Sequence, residues 1–102
     1  MVDNLEHAIA LREQGAGRFC LGERQGVKPP GFDFGNSPAE LLTSRFDAQT
    51  LIQTTSNGTR GILAAKNATK IYAGSLVTAA ATTRLIQNQQ TQLVSLIAMG
   101  QG

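Results

Sequence analysis

The stretch that decides the fold is GERQGVKPPGFDFGNSPAELLTSRFDAQTLIQTTSNGTR, residues 22–60. It holds two polar, glycine-rich loops, GFDFGNSP at 31–38 and TTSNGTR at 54–60, and each runs into a predicted helix start. The first backbone N–H groups of a helix have no partner within it and together carry roughly half a positive charge. Because Arg24 and Arg60 flank these two helix starts, the stretch predicts a protein that holds a phosphate or another oxyanion.

Helix caps are the clearest local signals. Ser37 is the predicted N-cap of a helix that starts at Pro38, with its side-chain oxygen bonded to the N–H of Glu40. Asp3 and Glu6 predict a similar capping box at the start of the first helix. Both patterns fix where a helix begins.

Helix and strand predictions alternate along the chain. The predicted helices run from Asp3 to Gly15 or Gly17 and over about 38–44, 59–67 and 77–88; the predicted strands cover 18–21, 50–54, 70–73 and 93–98. This order indicates an α/β fold, a mostly parallel sheet with helices packed on it in α/β/α layers. Ligands of such sheets bind beyond the carboxyl ends of the strands, where the loops GERQG, TTSNGTR, GSLVT and MGQG are predicted to meet on one edge.

Composition places the chain among soluble globular proteins. Its 102 residues allow a single α/β domain, 1–102, and 41% of them are hydrophobic and 16% charged. The net charge is only +2 and the basic residues are scattered, which argues against a nucleic-acid partner. No apolar run is long enough to predict a membrane helix. A single cysteine, Cys20, fits a reducing compartment, most simply the cytoplasm.

The TTSNGTR loop is the strongest candidate for an anion site. Gly58 is predicted to turn with a positive φ or to let a ligand approach the backbone closely. Arg60 can hold two oxygens at once, and further polar groups come from Thr54, Thr55, Ser56, Asn57 and Thr59. The alternative is an ordinary strand-to-helix turn in which Asn57 or Thr59 caps the helix.

Two acidic residues are candidates for catalysis. Asp33 can bind Mg²⁺ or orient a water molecule, because hard cations prefer carboxylate oxygens; the alternative is a turn residue bonded to its own backbone. Glu23, beside Arg24, either faces the site or is solvated. Phe32 and Phe34 flank Asp33 and are predicted to anchor this loop in the core.

Two other reactive residue types carry no predicted chemistry. His7 lies among charged residues on the first helix and is a predicted surface residue. Cys20 lies in the middle of a predicted strand, so we expect a buried small hydrophobic residue and not a nucleophile.

The loops resemble those of the 2-phosphosulfolactate phosphatase family. The matching motifs follow in the family's order at Gly22–Gly26, Gly31–Pro38, Thr54–Arg60, Gly74–Ser75 and Ala98–Gly100. The resemblance implies a Mg²⁺-dependent phosphatase that hydrolyses 2-phospho-3-sulfolactate to 3-sulfolactate and phosphate, a step of coenzyme M synthesis. Its partner is then a small anionic phosphorylated substrate, with neither nucleic acid nor membrane involved.

The resemblance also implies roles for single residues. Asp33 and Glu23 are the catalytic candidates, and Asp33 is the candidate Mg²⁺ ligand. Arg60, with the N–H groups around Gly58 and Thr59, is expected to hold phosphate or sulfonate, and Arg24 the second anionic group. The full set of expected substrate-binding residues is Arg24, Asn36, Ser37, Thr55, Asn57, Gly58, Thr59, Arg60 and Ser75.

The chain departs from the family pattern in three ways. Family members are longer, with an earlier strand ending in an Asp-x-Leu-Arg-Ala-like segment and a later acidic half, and Met99 interrupts the Ala-Gly motif here. We therefore expect an incomplete part of a larger domain that is a poor enzyme alone and forms homo-oligomers through open apolar surface. The alternatives are a catalytically incomplete anion-binding fragment or assembly module of the same fold, and an unrelated sugar- or nucleotide-binding module.

Overall fold

A computed structural model describes residues 1–100 of the chain. The elements are α1 (Leu5–Glu13), β1 (Phe19–Gly22), α2 (Pro38–Leu41), β2 (Leu51–Thr54), α3 (Gly58–Ala64) and α4 (Ala79–Asn88). β1 and β2 pair in parallel, with Phe19 opposite Leu51 and Gly22 opposite Thr54. The predicted α/β class with a parallel sheet is therefore confirmed.

The core lies between α1 and one face of the sheet. Cys20 and Ile52 are partners in the sheet register and are buried beneath α1, where Ala8 is the most buried helix residue. The Cys20 thiol donates to the carbonyl of Ala8 at 3.3 Å, and burial raises the pKa of this thiol. The prediction of a buried, unreactive cysteine is consistent with this setting, and the predicted surface position of His7 is confirmed.

Aromatic rings cover the opposite face of the sheet. Because side chains alternate along a strand, Phe19 points away from α1. Its ring meets Phe34 and Phe46 edge to face, with centroids 5.5 and 5.9 Å away. Phe32 turns into the core instead. The prediction that the loop is anchored in the core is confirmed for Phe32, whereas Phe34 packs against the rings on the opposite face of the sheet.

The first predicted cap is displaced by one residue. α1 begins at Leu5, so the N-cap position falls on Asn4, whose side-chain oxygen accepts the N–H of His7 at 2.7 Å. Asp3 was predicted there, and that prediction is wrong. The N-cap is the extended residue directly before the first helical one, and with the helix starting at Leu5 that residue is Asn4, whose side chain reaches the N–H at the third helical position.

The second predicted cap has the right place and the wrong bond. α2 starts at Pro38 after Ser37, as predicted, but the Ser37 side chain makes no capping hydrogen bond. The Glu40 carboxylate instead turns back and accepts the N–H of Gly35 at 3.3 Å. This hydrogen bond thus comes from a side chain inside the helix and stabilises the preceding loop.

Two predicted strands are absent between residues 1 and 100. Residues 70–73 and 93–98 form neither helix nor strand and are exposed. A strand exists only through ladder hydrogen bonds to a neighbour, and neither segment has such a neighbour among the described residues. None of the helices in this part of the chain is long and apolar enough to cross a membrane.

Candidate anion-binding cleft

The loops after β1 and β2 lie side by side at the carboxyl end of the sheet. Parallel pairing brings the GERQG loop (22–26) and the TTSNGTR loop (54–60) to the same edge. The Glu23 carboxylate joins them directly, because its Oε1 accepts the N–H of Ser56 at 2.6 Å. The prediction that these two loops share one edge is confirmed.

A cleft of about 960 Å³ opens between the two loops. Most of the residues that line it come from the two loops. The lining residues are Met1, Glu23, Arg24, Gln25, Gly26, Asn36, Gln53, Thr55, Ser56, Asn57, Gly58, Thr59, Arg60, Ile62 and Ala73. Both arginines predicted to bind an anion therefore face the same space.

The MGQG loop and the residue before the GSLVT loop reach this edge without the strands predicted to carry them there. Ala73, just before Gly74 and Ser75, lines the cleft. The side-chain amide of Asn57 donates to the carbonyl of Gly100 at 3.3 Å. The last two residues of the predicted MGQG loop, 101 and 102, lie outside the described residues.

Arg24 is held in place by the protein itself. Its Nη1 donates to the carbonyl of Glu23 at 2.9 Å, and its Nη2 donates to the hydroxyl of Thr54, also at 2.9 Å, and to the carbonyl of Asp3 at 3.3 Å. Thr54 is completely buried. A guanidinium with several donors fixed in this way is a rigid positive charge at the cleft wall.

The Arg60 side chain, unlike that of Arg24, is not held by hydrogen bonds to the described residues. It is exposed on the cleft, and its guanidinium makes no hydrogen bond or ion pair with any residue between 1 and 100. Its backbone N–H donates to the carbonyl of Asn57, which closes the first turn of α3. Within this part of the chain, the Arg60 side chain therefore keeps its full set of donors available for an anion.

The threonines of the loop bond mainly to one another. The Thr59 hydroxyl accepts the N–H of Thr55 at 3.0 Å, and the Thr55 hydroxyl accepts the N–H of Thr59 at 3.2 Å. Both residues are buried, so these groups fix the loop from inside. Asn57 holds the N-cap position of α3, as one of the two alternatives predicted, but its side chain makes no capping hydrogen bond; the Thr55 hydroxyl accepts the free N–H of Thr59 instead.

Gly58 also behaves differently from the prediction. It is absent from the glycines with positive φ, so the expected left-handed turn is wrong; it is the first residue of α3. A Cβ placed there would meet nothing closer than the Thr55 hydroxyl at 3.7 Å. The value of glycine at this position is therefore open space next to the cleft, not backbone conformation.

The remaining predicted binding residues are dispersed. Asn36 lines the cleft and accepts a hydrogen bond from the side chain of Gln53 at 3.2 Å. Ser37 is exposed and lies outside the cleft lining, and Ser75 pairs with Thr78, hydroxyl to hydroxyl, at 3.2 Å. The structure thus joins Asn36 to the two loops but does not bring Ser37 or Ser75 to them.

Glu23 has both carboxylate oxygens engaged. Oε2 accepts the N–H of Gly26 at 2.9 Å and the hydroxyl of Ser56 at 3.0 Å, in addition to the bond at Oε1. The Gly26 and Ser56 N–H groups, followed by weaker contributions, hold the pKa of Glu23 below its ordinary value. A general base works best with a pKa near the operating pH, so this geometry does not favour the predicted catalytic role.

Asp33 lies outside the cleft. Its Oδ2 accepts the backbone N–H of Cys20 at 2.8 Å and Nη1 of Arg12 at 2.7 Å. Burial raises the pKa of Asp33, but the Cys20 N–H and the Arg12 guanidinium outweigh it and leave the pKa below its ordinary value. The residue therefore ties α1 and β1 to the loop that follows.

The described donors do not fit a complete Mg²⁺ site. Among residues 1–100 no three His, Cys, Asp or Glu side chains come together in a way that could hold a metal. Asp33 and Glu23 share no hydrogen-bond partner, and each carboxylate accepts backbone N–H groups. The metal role of Asp33 stays a prediction.

Ser56 is the site residue that the sequence did not single out as a binding residue. Its backbone and side chain both bond to Glu23, and its hydroxyl also accepts the N–H of Gln25 at 3.2 Å. In the sequence Ser56 is one of several hydroxyl residues in TTSNGTR. Only its contacts with the GERQG loop in the folded structure set it apart from the others.

Comparison with known proteins agrees with this arrangement of loops. The family model described as 2-phosphosulpholactate phosphatase matches residues 1–102. A probable 2-phosphosulfolactate phosphatase of Thermus thermophilus is 35% identical over 98 residues, which are 95% of this chain and 40% of that protein. One of Thermosynechococcus vestitus, with the same name, is 39% identical over 85 residues, 83% of this chain and 35% of that protein.

The chain thus spans well under half the length of these relatives. The match nevertheless covers nearly all of the chain itself, including both loops of the cleft. With a family match over its whole length, the chain belongs to the 2-phosphosulpholactate phosphatase family.

Proposed function

We propose that the protein is a phosphatase that hydrolyses 2-phosphosulfolactate to sulfolactate and phosphate. The observation that carries the proposal is a cleft at the carboxyl end of a parallel sheet, with two arginines on loops that match the family. The names of the relatives supply the substrate. Coenzyme M synthesis in the cytoplasm is the physiological setting that this substrate suggests.

The substrate's charges match the cleft. It carries a phosphate, a sulfonate and a carboxylate, and its hydrolysis transfers a phosphoryl group to water with cleavage of the ester O–P bond. Such a reaction needs positive charge at the phosphoryl oxygens and a positioned water. Arg60 supplies an exposed guanidinium for the phosphate, and the fixed guanidinium of Arg24 supplies a second anion site for the sulfonate.

Mg²⁺ is part of the proposal by family resemblance alone. Bound in such an enzyme, it would neutralise charge on the phosphoryl group. Because the described residues supply no complete set of ligands, no residue of this chain is assigned to it beyond the prediction for Asp33. Activity that is lost in EDTA and restored by MgCl₂ is the expected result.

One matched pair of substrates tests the function. The full chain is assayed for phosphate release from 2-phospho-3-sulfolactate and from 2-phospholactate, which lacks the sulfonate. We expect a higher KM for 2-phospholactate if a second cationic group holds the sulfonate. If neither compound releases phosphate, the phosphatase proposal is contradicted.

One matched pair of variants tests Arg60. Arg60→Lys keeps the charge but removes the two-pronged geometry, so we expect catalytic efficiency to fall about tenfold or more, with the melting temperature nearly unchanged. Arg45→Lys is the control, because Arg45 is exposed and pairs only with Asp47 at 3.5 Å. Equal kinetics for the two variants would show that Arg60 is not in the site.

The hydrogen bonds of the Glu23 and Asp33 carboxylates favour a second candidate function, anion binding without catalysis. Glu23 and Asp33 are both bonded within the fold, which fits an anion-binding module that lacks its catalytic acids. This module would bind inorganic phosphate but release none from either ester. Calorimetric titration with phosphate, beside the assay, separates it from the enzyme.

A further inference from the structure

The two loops that carry the arginines are joined at a single group of side-chain and backbone contacts. Glu23 accepts the N–H of Ser56 at 2.6 Å, the hydroxyl of Ser56 at 3.0 Å and the N–H of Gly26 at 2.9 Å. The N–H of Gln25 donates to the Ser56 hydroxyl at 3.2 Å. We call these four residues, Glu23, Gln25, Gly26 and Ser56, the Glu23–Ser56 lock.

The backbone of the GERQG loop is shaped to form the lock. Arg24 and Val27 exchange two backbone hydrogen bonds of 2.9 and 3.1 Å around a two-residue turn. Both turn residues have positive φ, 53° at Gln25 and 80° at Gly26. A side chain at positive φ costs free energy, and here the conformation directs both N–H groups at the lock.

Each of the two loops joined by the lock carries one of the cationic groups. Arg24 directly follows Glu23, and Arg60 lies one helical turn beyond Ser56 on the start of α3. A carboxylate that accepts several N–H and O–H groups forms stronger bonds than neutral acceptors do. It therefore keeps the two loops together before any anion arrives, which spares the cost of ordering them on binding.

We propose that Glu23 is a positioning residue that acts through Ser56 and sets the spacing of Arg24 and Arg60, so that both guanidinium groups face the anion-binding cleft. The inference rests on the proposed function, because it assumes that the cleft binds an anion. It replaces the role of a general base for Glu23, since all the contacts described for its carboxylate serve the joint between the loops.

Inorganic phosphate is the probe for the test. Glu23→Gln removes the charge and one of the two acceptor oxygens, so the side chain can no longer accept the Ser56 N–H at one oxygen and the Gly26 N–H at the other. We expect its Kd for phosphate, measured by calorimetry at a temperature where the variant is folded, to rise about tenfold. Glu40→Gln is the matched control, because the Glu40 carboxylate also accepts a glycine N–H, at Gly35, but outside the cleft.

Two further readouts separate positioning from mere stabilisation. The short bond should shift the amide proton of Ser56 downfield in the NMR spectrum, and Glu23→Gln should abolish this shift. Ser56→Ala keeps the N–H and loses the hydroxyl, so its phosphate affinity should fall in part, and Ser56→Thr should restore it.

The outcomes are distinguishable. If Glu23→Gln loses the Ser56 signature and still binds phosphate as the wild type does, the positioning role is wrong and the proposed anion site stands. A lower melting temperature with unchanged Kd would overturn the positioning role in the same way. A wild-type chain that binds no phosphate overturns the anion site, and the positioning role with it.

Discussion

Single carboxylates make the fold sensitive to acid. The pKa values of Glu23 and Asp33 both lie below their ordinary values in the folded chain. A depressed folded pKa stabilises the protein above the unfolded-state pKa, about 3.9 for Asp and 4.3 for Glu, and that stabilisation is lost as the pH falls through the folded pKa. We expect the free energy of unfolding to decrease from about pH 5 downward.

Urea unfolding at a series of pH values measures this effect. Glu23→Gln combined with Asp33→Asn should be less stable at pH 7 and should show a flatter acid limb than the wild type. Glu13→Gln removes an exposed carboxylate of α1 and serves as the control. An acid limb of unchanged slope in the double variant would contradict the prediction.

Two glycines of the cleft edge should respond oppositely to substitution. Gly22 has a φ of 152°, and a Cβ there would overlap the carbonyl of Thr54, its partner in the sheet. Gly22→Ala should therefore lower the free energy of unfolding by about 1–3 kcal/mol. Gly58→Ala meets no close atom and replaces a poor helix former, so its stability should be unchanged or higher. Thermal unfolding of both variants tests this contrast, and equal losses would refute it.

For single residues, the sequence predicts well which residue types form the cleft, but poorly which other residues they contact. The polar groups of TTSNGTR and the arginines were identifiable from composition and turn chemistry alone. The partner of Asp33 was not, because Arg12 lies 21 positions earlier and meets it only after α1 packs on the sheet. Glu23 is similar, since Ser56 is 33 positions away and is brought close only by parallel pairing.

Among the elements, the two N-caps offer a direct comparison. The Asn4 side chain accepts a helical N–H at 2.7 Å, whereas the Ser37 side chain makes no such bond. Asn4→Ala should cost about 1 kcal/mol of stability. Ser37→Ala should stay within about 0.5 kcal/mol of the wild type. Urea unfolding of the two variants tests this, and a larger loss at Ser37 would show that its hydroxyl caps α2 in solution.

The elements near the sheet were predictable because their signals are local. β1 and β2 are short apolar runs next to turn residues, and α2 starts at a proline behind a serine. Residues 70–73 and 93–98 carry the same apolar signal, but strand formation depends on a partner strand, which no local pattern specifies. All four predicted helices are therefore present, with the helix predicted over 77–88 observed as α4, and only the two strand predictions after α3 were wrong.

The whole molecule exposes more surface than its mass predicts. Its accessible surface is 7732 Å², whereas a compact monomer of this mass exposes about 5,500 Å². The radius of gyration is 14.9 Å, against about 13 Å for a compact domain of similar length. The excess lies in the last third of the chain, where nearly every residue after Ala65 is exposed.

The exposed residues of this last third include large apolar side chains. Leu76 and Leu96 are each 97% exposed, Val77 is 95% exposed and Leu93 is 83% exposed. Apolar surface on this scale favours burial against other protein. In the relatives, of which the chain covers 40% or less in the two cases compared above, additional chain is available for that purpose.

We therefore expect the 102-residue chain to self-associate. Light scattering should give a mass above 10.8 kDa that rises with concentration over a range on the order of 10–100 μM. Leu93→Lys combined with Leu96→Lys should reduce the association without lowering the free energy of unfolding, because neither side chain is packed in the core.

Ile52→Ala is the control, since it removes core packing and should cost about 2–5 kcal/mol while leaving the exposed apolar surface in place. A constant monomeric mass for the wild type would contradict the prediction, because it would mean that residues 66–100 cover their own apolar side chains in solution.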